Sequence, residues 1–315
     1  MQYFWSLDDV HIQNAWLTIG SFDGVHRGHR EIVHKLTAGA HSVGAPAVVL
    51  TFHPHPALVL GKRKDALYLT TPEQRAELLG ELGVDLLIIH PFNMSVASMR
   101  AEEFLTEVSG HVQIKELWVG HDFALGKGRE GNVEKLRQMG ATFGYALEVV
   151  PPVILDGEIV SSSRIRNLLA DGDVTEAARL LGRPYQLQGR VVPGDGRGRT
   201  IGVPTANLSV WPEQQLPKAG VYVCRAQVDG QWLGALTNVG TRPTFDPQDI
   251  ITRVEAHLLD FHSNIYGQEL SVEFLKWLRP EEKFPSVQAL IDQMQLDIQY
   301  GRHYLATDGI KNIGK

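Results

Sequence analysis

The chain of 315 residues has one cysteine, Cys224, so no disulfide can form within it and a scaffold of cross-linked loops is excluded. It has no basic excess. Its 30 lysines and arginines face 36 aspartates and glutamates, a net charge of −6, opposite in sign to a nucleic-acid footprint. No apolar run is long enough to span a bilayer. The first residues, MQYFWSLDDVHIQNAW, lack the basic and apolar regions of a secretory signal. There is no internal repeat and no low-complexity linker. H-E-x-x-H does not occur, and Gly61-Lys62 lacks the upstream glycine and the following hydroxyl residue of a Walker loop. What is present is a 43% hydrophobic composition, enough for a sizeable core. The expectation is a soluble cytoplasmic protein with small-molecule ligands and neither nucleic acid nor membrane as partner. A weak homo-oligomer is compatible with these bounds.

Up to about residue 182 the pattern alternates between short apolar runs and helical spacing. AWLTIG (Ala15–Gly20), PAVVLTF (Pro46–Phe52), VDLLIIH (Val84–His90), IKELWVG (Ile114–Gly120) and YALEVVP (Tyr145–Pro151) read as strands. Helices are predicted from Arg27 to about Ala40, from Thr71 to Gly83 behind a Thr-Pro start, and from Ser98 to Val108. Buried-looking strands alternating with helices predict an α/β unit with a parallel sheet. Near Arg183-Pro184 the pattern changes to short alternating strands with turns such as Asp229-Gly230, a strong hairpin signal. The second half therefore reads as an antiparallel β-barrel, with a last helix from about Ser286 to Tyr304. The domains expected are 1–182 and 183–315.

The stretch TIGSFDGVHRGHREIV (Thr18–Val33) joins the first of these strands to the first helix. In a parallel sheet ligands gather at the carboxyl ends of strands, where a helix N-terminus offers unpaired N–H groups. Gly20 and Gly24 allow a tight turn, and Gly28 allows close approach to the first helical turn. His26 and His29 share one helix face. Three readings compete: a metal site, histidines that only cap and pack, and imidazoles that donate to phosphate oxygens. A metal site would want more ligands than these two.

A second segment, GDGRGRTIGVPTANL (Gly194–Leu208), is glycine-rich and then extended. It is either a flexible hairpin loop or a loop laid along a nucleotide. Thr205 and Asn207 are two apart, so on an extended chain both side chains face one way. Their hydroxyl and amide oxygens suit Mg²⁺, a hard ion. Further on, Glu255 is a lone carboxylate between apolar neighbours, either a general base or half of an ion pair with Arg253 or Arg242.

Longer stretches carry a resemblance. His26-Arg27-Gly28-His29 resembles the H-x-G-H signature of nucleotidylyltransferases. GSFDGVHRGH, TFHPHP (Thr51–Pro56), FNMSVASMRAEEFL (Phe92–Leu105), VGHDFALG (Val119–Gly126) and VSSSRIRNLL (Val160–Leu169) resemble the N-terminal half of the bacterial bifunctional riboflavin kinase/FAD synthetase family. RTIGVPTANL, NVGTRPTF (Asn238–Phe245), TRVEAHLLDFHSNIYG (Thr252–Gly267) and LRPEEKF (Leu278–Phe284) resemble its riboflavin kinase half. Together they cover about Trp16 to Asp297.

The resemblance implies a Rossmann-like nucleotidylyltransferase domain followed by a riboflavin kinase barrel. It implies ATP, riboflavin and FMN as substrates, FAD as product and Mg²⁺ as cofactor. In the first domain it implies an ATP site of Gly20, Phe22, Asp23, Gly24, His26, Gly28, His29, Asp122, Ser162, Ser163, Arg164 and Arg166, with His26 and His29 steadying the departing pyrophosphate. His53 and His55 would contact the flavin or only cap their loop. In the second domain it implies Glu255 as catalytic base and Thr205 and Asn207 as Mg²⁺ ligands. Gly198, Thr200, Gly202, Pro204, Asn238 and Arg242 would surround ATP and flavin. Ala124 and Leu125 depart from the Arg and Phe usual in the family, and Ser163 replaces a commoner Thr.

Overall fold

The computed structural model describes residues 1–62, 67–194, 198, 202–243 and 250–307, with backbone alone at 241–243 and 250–252. Contacts divide the chain into two compact units, Met1–Ser162 and Ser163–Lys315.

The first unit runs β1 (Gln2–Phe4), β2 (Ile12–Ile19), α1 (Arg27–Ser42), β3 (Ala47–His53), α2 (Pro56–Val59), α3 (Pro72–Glu81), β4 (Leu86–Pro91), α4 (Met94–Ser98), α5 (Ala101–His111), β5 (Val112–Gly120), β6 (Ala124–Leu125), β7 (Gly131–Asn132), α6 (Val133–Phe143), β8 (Ala146–Val150), β9 (Ile154–Leu155) and β10 (Glu158–Ile159). Six strands form a parallel sheet in the order β1-β4-β3-β2-β5-β8. Along β3, Val48 and Leu50 enter one core cluster with Phe104 and Leu105 of α5, while Ala47 and Val49 enter another with Val33 and Leu36 of α1. This period of two, buried on both faces, is why the strand reads as an unbroken apolar run. The order runs one way from β2 to β4 and then jumps to β5 on the far side of β2, so the crevice expected of such sheets opens past the ends of β2 and β5.

One helix departs from expectation. The helix predicted over Ser98–Val108 begins at Ala101 as α5, because Met99 and Arg100 are extended (ψ 139° and 158°), and a separate short helix, α4, precedes it. Residues 2–4, too short to show alternation, add the edge strand β1 beside β4. The Thr-Pro start of α3 is a full capping box, with Thr71 and Gln74 each bonding the other's backbone N–H.

The second unit takes most of α7 (Ser162–Asp171), then α8 (Val174–Leu181), β11 (Tyr185–Val192), β12 (Ala206–Val210), β13 (Gly220–Val228), β14 (Gln231–Pro243), β15 (Ile250–Leu258), β16 (Glu269–Arg279) and a terminal helix (Val287–Thr307). The strands close into an antiparallel barrel in the order β11-β12-β15-β14-β13-β16. The β13–β14 hairpin turns on Asp229 (φ 47°) and Gly230 (φ 79°), the two left-handed residues that a type I′ turn requires. The division by contacts falls a helix pair before the change of pattern at Arg183-Pro184. Val174, Ala177, Leu180 and Leu181 of α8 are fully buried, and that helix packs on β11 and β16. Among the described residues no helix is long and apolar enough to cross a membrane.

Candidate active sites

The first site forms where β2 leaves the sheet. Phe22 (φ 46°), Gly24 (φ 84°) and Val25 (φ 41°) all adopt left-handed backbone, costly for Phe and more so for a β-branched residue. The turn delivers His26 as the N-cap of α1, where its Nδ1 accepts the His29 N–H at 3.3 Å. With Nδ1 accepting, a neutral His26 carries its proton on Nε2 and can donate it to an anion. The His26 and His29 rings stack with centroids 3.6 Å apart, and the Phe22 ring lies tilted 5.1 Å from that of His29. A Cβ on Gly28 would stand 3.1 Å from His26 Cε1, so glycine there makes room for the imidazole itself.

The remaining expected residues fall into three groups. Phe22 and Asp23 are buried, at 2% and 1% exposure, so what they offer a ligand is the backbone of the turn. The Asp23 carboxylate accepts from Leu69 N–H (2.9 Å) and Thr70 N–H (3.2 Å), and Gly24 N–H donates to the Thr70 hydroxyl (3.1 Å). Ser162 joins the turn directly, its hydroxyl donating to the Asp23 carbonyl at 2.9 Å. Ser163, Arg164 and Arg166 continue α7 into the second unit, where Arg164 pairs with Glu176 at 3.4 Å. Asp122 follows β5 with its side chain 81% exposed, and the Arg129 guanidinium bonds its carbonyl (2.6 Å). His55 caps α2, its Nδ1 accepting from Ala57 N–H at 3.1 Å, and His53 meets Trp5 edge-on at 6.1 Å. Among the described residues no three His, Cys, Asp or Glu side chains are gathered to hold a metal.

The second site is built by strand register. Glu255 of β15 pairs with Asn207 of β12 on one side and with Asn238 of β14 on the other, which sets three polar residues in a row across the barrel. Val254 and Ala256 turn inward, at 1% and 0% exposure, while Glu255 and His257 turn outward. The Thr205 hydroxyl lies 3.4 Å from Glu255 Oε2, and Arg253 lies 3.8 Å from Oε1, so the carboxylate stands between the hydroxyl and a cation. His257 Nδ1 is 2.8 Å from the Pro204 carbonyl. Asn238 donates to Glu281 at 2.9 Å. Gly194 and Gly198 are required by proximity: a Cβ would stand 2.1 Å from the Asn207 amide nitrogen and 2.3 Å from the Val203 carbonyl. Gly202, at φ 79°, turns the chain toward Pro204. Thr200 and the side chain of Arg242 lie outside the described residues.

Two cavities open on this part of the barrel, and the larger of them reaches the row, at Asn238 and Glu255. One, of about 470 Å³, runs between Leu236, Asn238, Glu255 and His257 on the barrel and Phe284, Leu290, Met294 and Ile298 beyond it. The other, of about 320 Å³, is lined by Pro204, Ala206 and the loop from Phe261 to Tyr266. Thr205 lines both. Sequence reasoning assigned no site residue in the 261–266 loop, although it lies within the quoted Thr252–Gly267 stretch, nor on the Met294 face, since apolar and turn residues carry no chemical signature of their own.

A helix N-terminus presenting stacked imidazoles at a sheet crevice, followed by a barrel with a hydroxyl that borders two cavities and a carboxylate that borders one of them, defines a two-part enzyme of nucleotide chemistry. The family model for FAD synthetase matches residues 9–164, and that for riboflavin kinase matches residues 181–305. The Bifunctional riboflavin kinase/FMN adenylyltransferase of Listeria monocytogenes is 35% identical over 93% of this chain and 93% of its own. The protein of the same name from Pseudomonas fluorescens is 37% identical over 90% of this chain and 91% of its own. A crystal structure named Macrolide-efflux Protein, from Streptococcus pneumoniae, superposes with a TM-score of 0.87 at 33% identity, over 96% of this chain and 98% of that one. The chain belongs to the bifunctional riboflavin kinase/FMN adenylyltransferase family.

Proposed function

We propose that the barrel transfers the γ-phosphoryl group of ATP to the 5′-hydroxyl of riboflavin, and that the α/β part then joins AMP from ATP to the resulting FMN. Residues 1–182 are assigned to adenylylation and 183–315 to phosphorylation, an assignment supported by the two family matches. The observation that carries the reading is the Thr205 hydroxyl, which borders two cavities and lies 3.4 Å from Glu255, which borders the larger. A kinase must bring two substrates to one point, and Thr205 stands where the two cavities adjoin.

In the first reaction Glu255 accepts the proton of the riboflavin hydroxyl as its oxygen attacks the γ-phosphorus, and ADP leaves. Glu255 borders the larger cavity, whose apolar Phe284, Leu290, Met294 and Ile298 suit a flavin ring. That leaves the smaller cavity, beside the 261–266 loop, for the nucleotide. Mg²⁺ fits the donor set, since Thr205, Asn207 and the ATP phosphates supply only hard oxygens. Bound there, it would offset the charge of the transferred group. Gly198, Gly202 and Pro204 shape the loop, and Asn238 is held by Glu281 on the flavin side.

In the second reaction the FMN phosphate attacks the α-phosphorus of ATP and pyrophosphate leaves. No protein nucleophile is required. His26 donates from Nε2 to the phosphates, His29 stacks against it, and the first N–H groups of α1 face the same anion. Ser162, Ser163, Arg164, Arg166 and Asp122 are assigned to the same ATP. His53 and His55 are assigned to the flavin side. Both reactions are placed in the cytoplasm, in keeping with Cys224, a buried free thiol whose pKa burial pushes up to about 12.

Incubation with riboflavin, ATP and Mg²⁺, followed by chromatographic separation of the flavins, tests the reading. FMN should appear first and FAD after it, and supplied FMN should give FAD without riboflavin. Formation of neither product would reject it.

A further inference from the structure

The strained turn that carries His26 has to be held by something. Two of its left-handed residues are Phe22 and Val25, and neither has the conformational freedom of glycine. A backbone held in that region persists only where its surroundings over-determine it. The surroundings converge on Arg75 of α3. This arginine is 1% exposed, among the most deeply buried side chains of the protein. Its Nη1 donates to the Thr51 hydroxyl at 3.2 Å, and that hydroxyl donates to the Ser21 carbonyl at 2.9 Å. Its Nη2 stands 3.7 Å from the Asp23 carboxylate. One planar guanidinium thus reaches both shoulders of the turn, Ser21 through Thr51 and Asp23 directly.

The arrangement is costly. Nε and Nη2 of Arg75 have no hydrogen-bond partner among the described residues, and burial pulls the guanidinium pKa down against the raising influence of Asp23. A buried ion pair of this kind is a poor source of stability, since apolar side chains of similar volume commonly do as well or better. Its value lies in geometry: the rigid fork of an arginine bonds the Thr51 hydroxyl with one nitrogen while holding the other beside the Asp23 charge, which a lysine ammonium cannot do at both places.

We infer that Arg75 is a positioning residue for adenylyl transfer, clamping the Ser21–Val25 turn through Thr51 and Asp23 so that His26 is presented at the start of α1. The inference rests on the assignment of that turn to ATP. The decisive measurement is steady-state FAD formation from supplied FMN, in the full chain, with riboflavin phosphorylation and thermal melting recorded on the same preparations. Arg75→Lys keeps a charge beside Asp23 but cannot also bond Thr51. It should melt as a folded protein and lose about tenfold or more in kcat, with the KM for FMN within about twofold and phosphorylation unchanged. Arg75→Met strands the Asp23 charge and should lower the melting temperature; adding Asp23→Asn should restore the melting temperature but not kcat.

A wild-type kcat in folded Arg75→Lys, or in the double variant, overturns the inference. So does loss of the melting transition in Arg75→Lys, which would make Arg75 a folding residue. Wild-type protein that makes no FAD, or an active His26→Ala, would instead break the assignment of the turn. Wild-type activity of Arg75→Lys beside an inactive His26→Ala breaks only the clamp.

Discussion

The two units fix their reactive groups in opposite ways. In the α/β unit His26 stands on a turn, and its place follows from local backbone: three left-handed residues, an N-cap and a stacked pair of rings. In the barrel Glu255 stands mid-strand, and its place follows from pairing with β12 and β14, segments near residues 207 and 238. A turn can be tuned by a few neighbouring residues. A register is all or nothing, because a slip of one residue would point Glu255 inward and Val254 or Ala256 out. Phosphorylation should therefore respond to changes anywhere along the three strands, and adenylylation chiefly to changes around one turn.

The comparison breaks most readily at the base. Glu255→Gln keeps the register and removes the proton acceptor, so riboflavin phosphorylation should fall by about 10²–10⁴-fold. Supplied FMN should still become FAD at the wild-type rate. A kinase rate within a few-fold of wild type would remove Glu255 from the mechanism. The mirror-image change is His26→Ala, which removes a phosphate donor and the cap of α1. FAD formation from FMN should drop by about 10²–10³-fold while FMN formation is unaffected. Equal loss of both activities in a folded variant would show that the two parts do not work as separate sites.

The smallest effect sharpens the comparison through pH. His90, at the end of β4, is packed against Phe52 and Phe104, with Glu107 at 3.9 Å. Burial lowers its pKa from the ordinary 6.5, an effect outweighing the raising influence of Glu107 and Asp8, with His111 lowering it further. The unfolded chain then binds the proton more readily than the folded one. As pH falls below about 6.5 the native α/β unit should lose stability, and above that value His90 contributes no pH dependence. His90→Leu should flatten the acid side of a melting-temperature profile taken from pH 8 to pH 5. An unchanged profile would exclude His90 as the titrating group.

Much of this was legible in the chain itself. The Asp229-Gly230 hairpin lies within a few residues, so backbone rules suffice to read it, whereas the spacing of His26–His29 and of Thr205–Asn207 left several readings open and only the family resemblance chose among them. What escaped reading depends on distant partners. The resemblance places Asp23 in the ATP site, yet its carboxylate is engaged by Leu69, Thr70 and Arg75 of another loop and helix. Met99 and Arg100 look helical by composition but are extended, because α5 starts with Ala101 packed against Gly126 and Gly131. The 261–266 loop and the inner face of the terminal helix became visible only as cavity walls.

Thr205 borders both cavities of the barrel, and this sets a limit on redesign. Any exchange at that position reshapes both spaces together, so under the proposed assignment altered analogues of acceptor and nucleotide cannot be accommodated there one at a time. Leu290, Met294 and Ile298 touch only the larger space. Variation for bulkier ring systems belongs on that far wall, where selectivity can drift while the nucleotide's berth stays as it is.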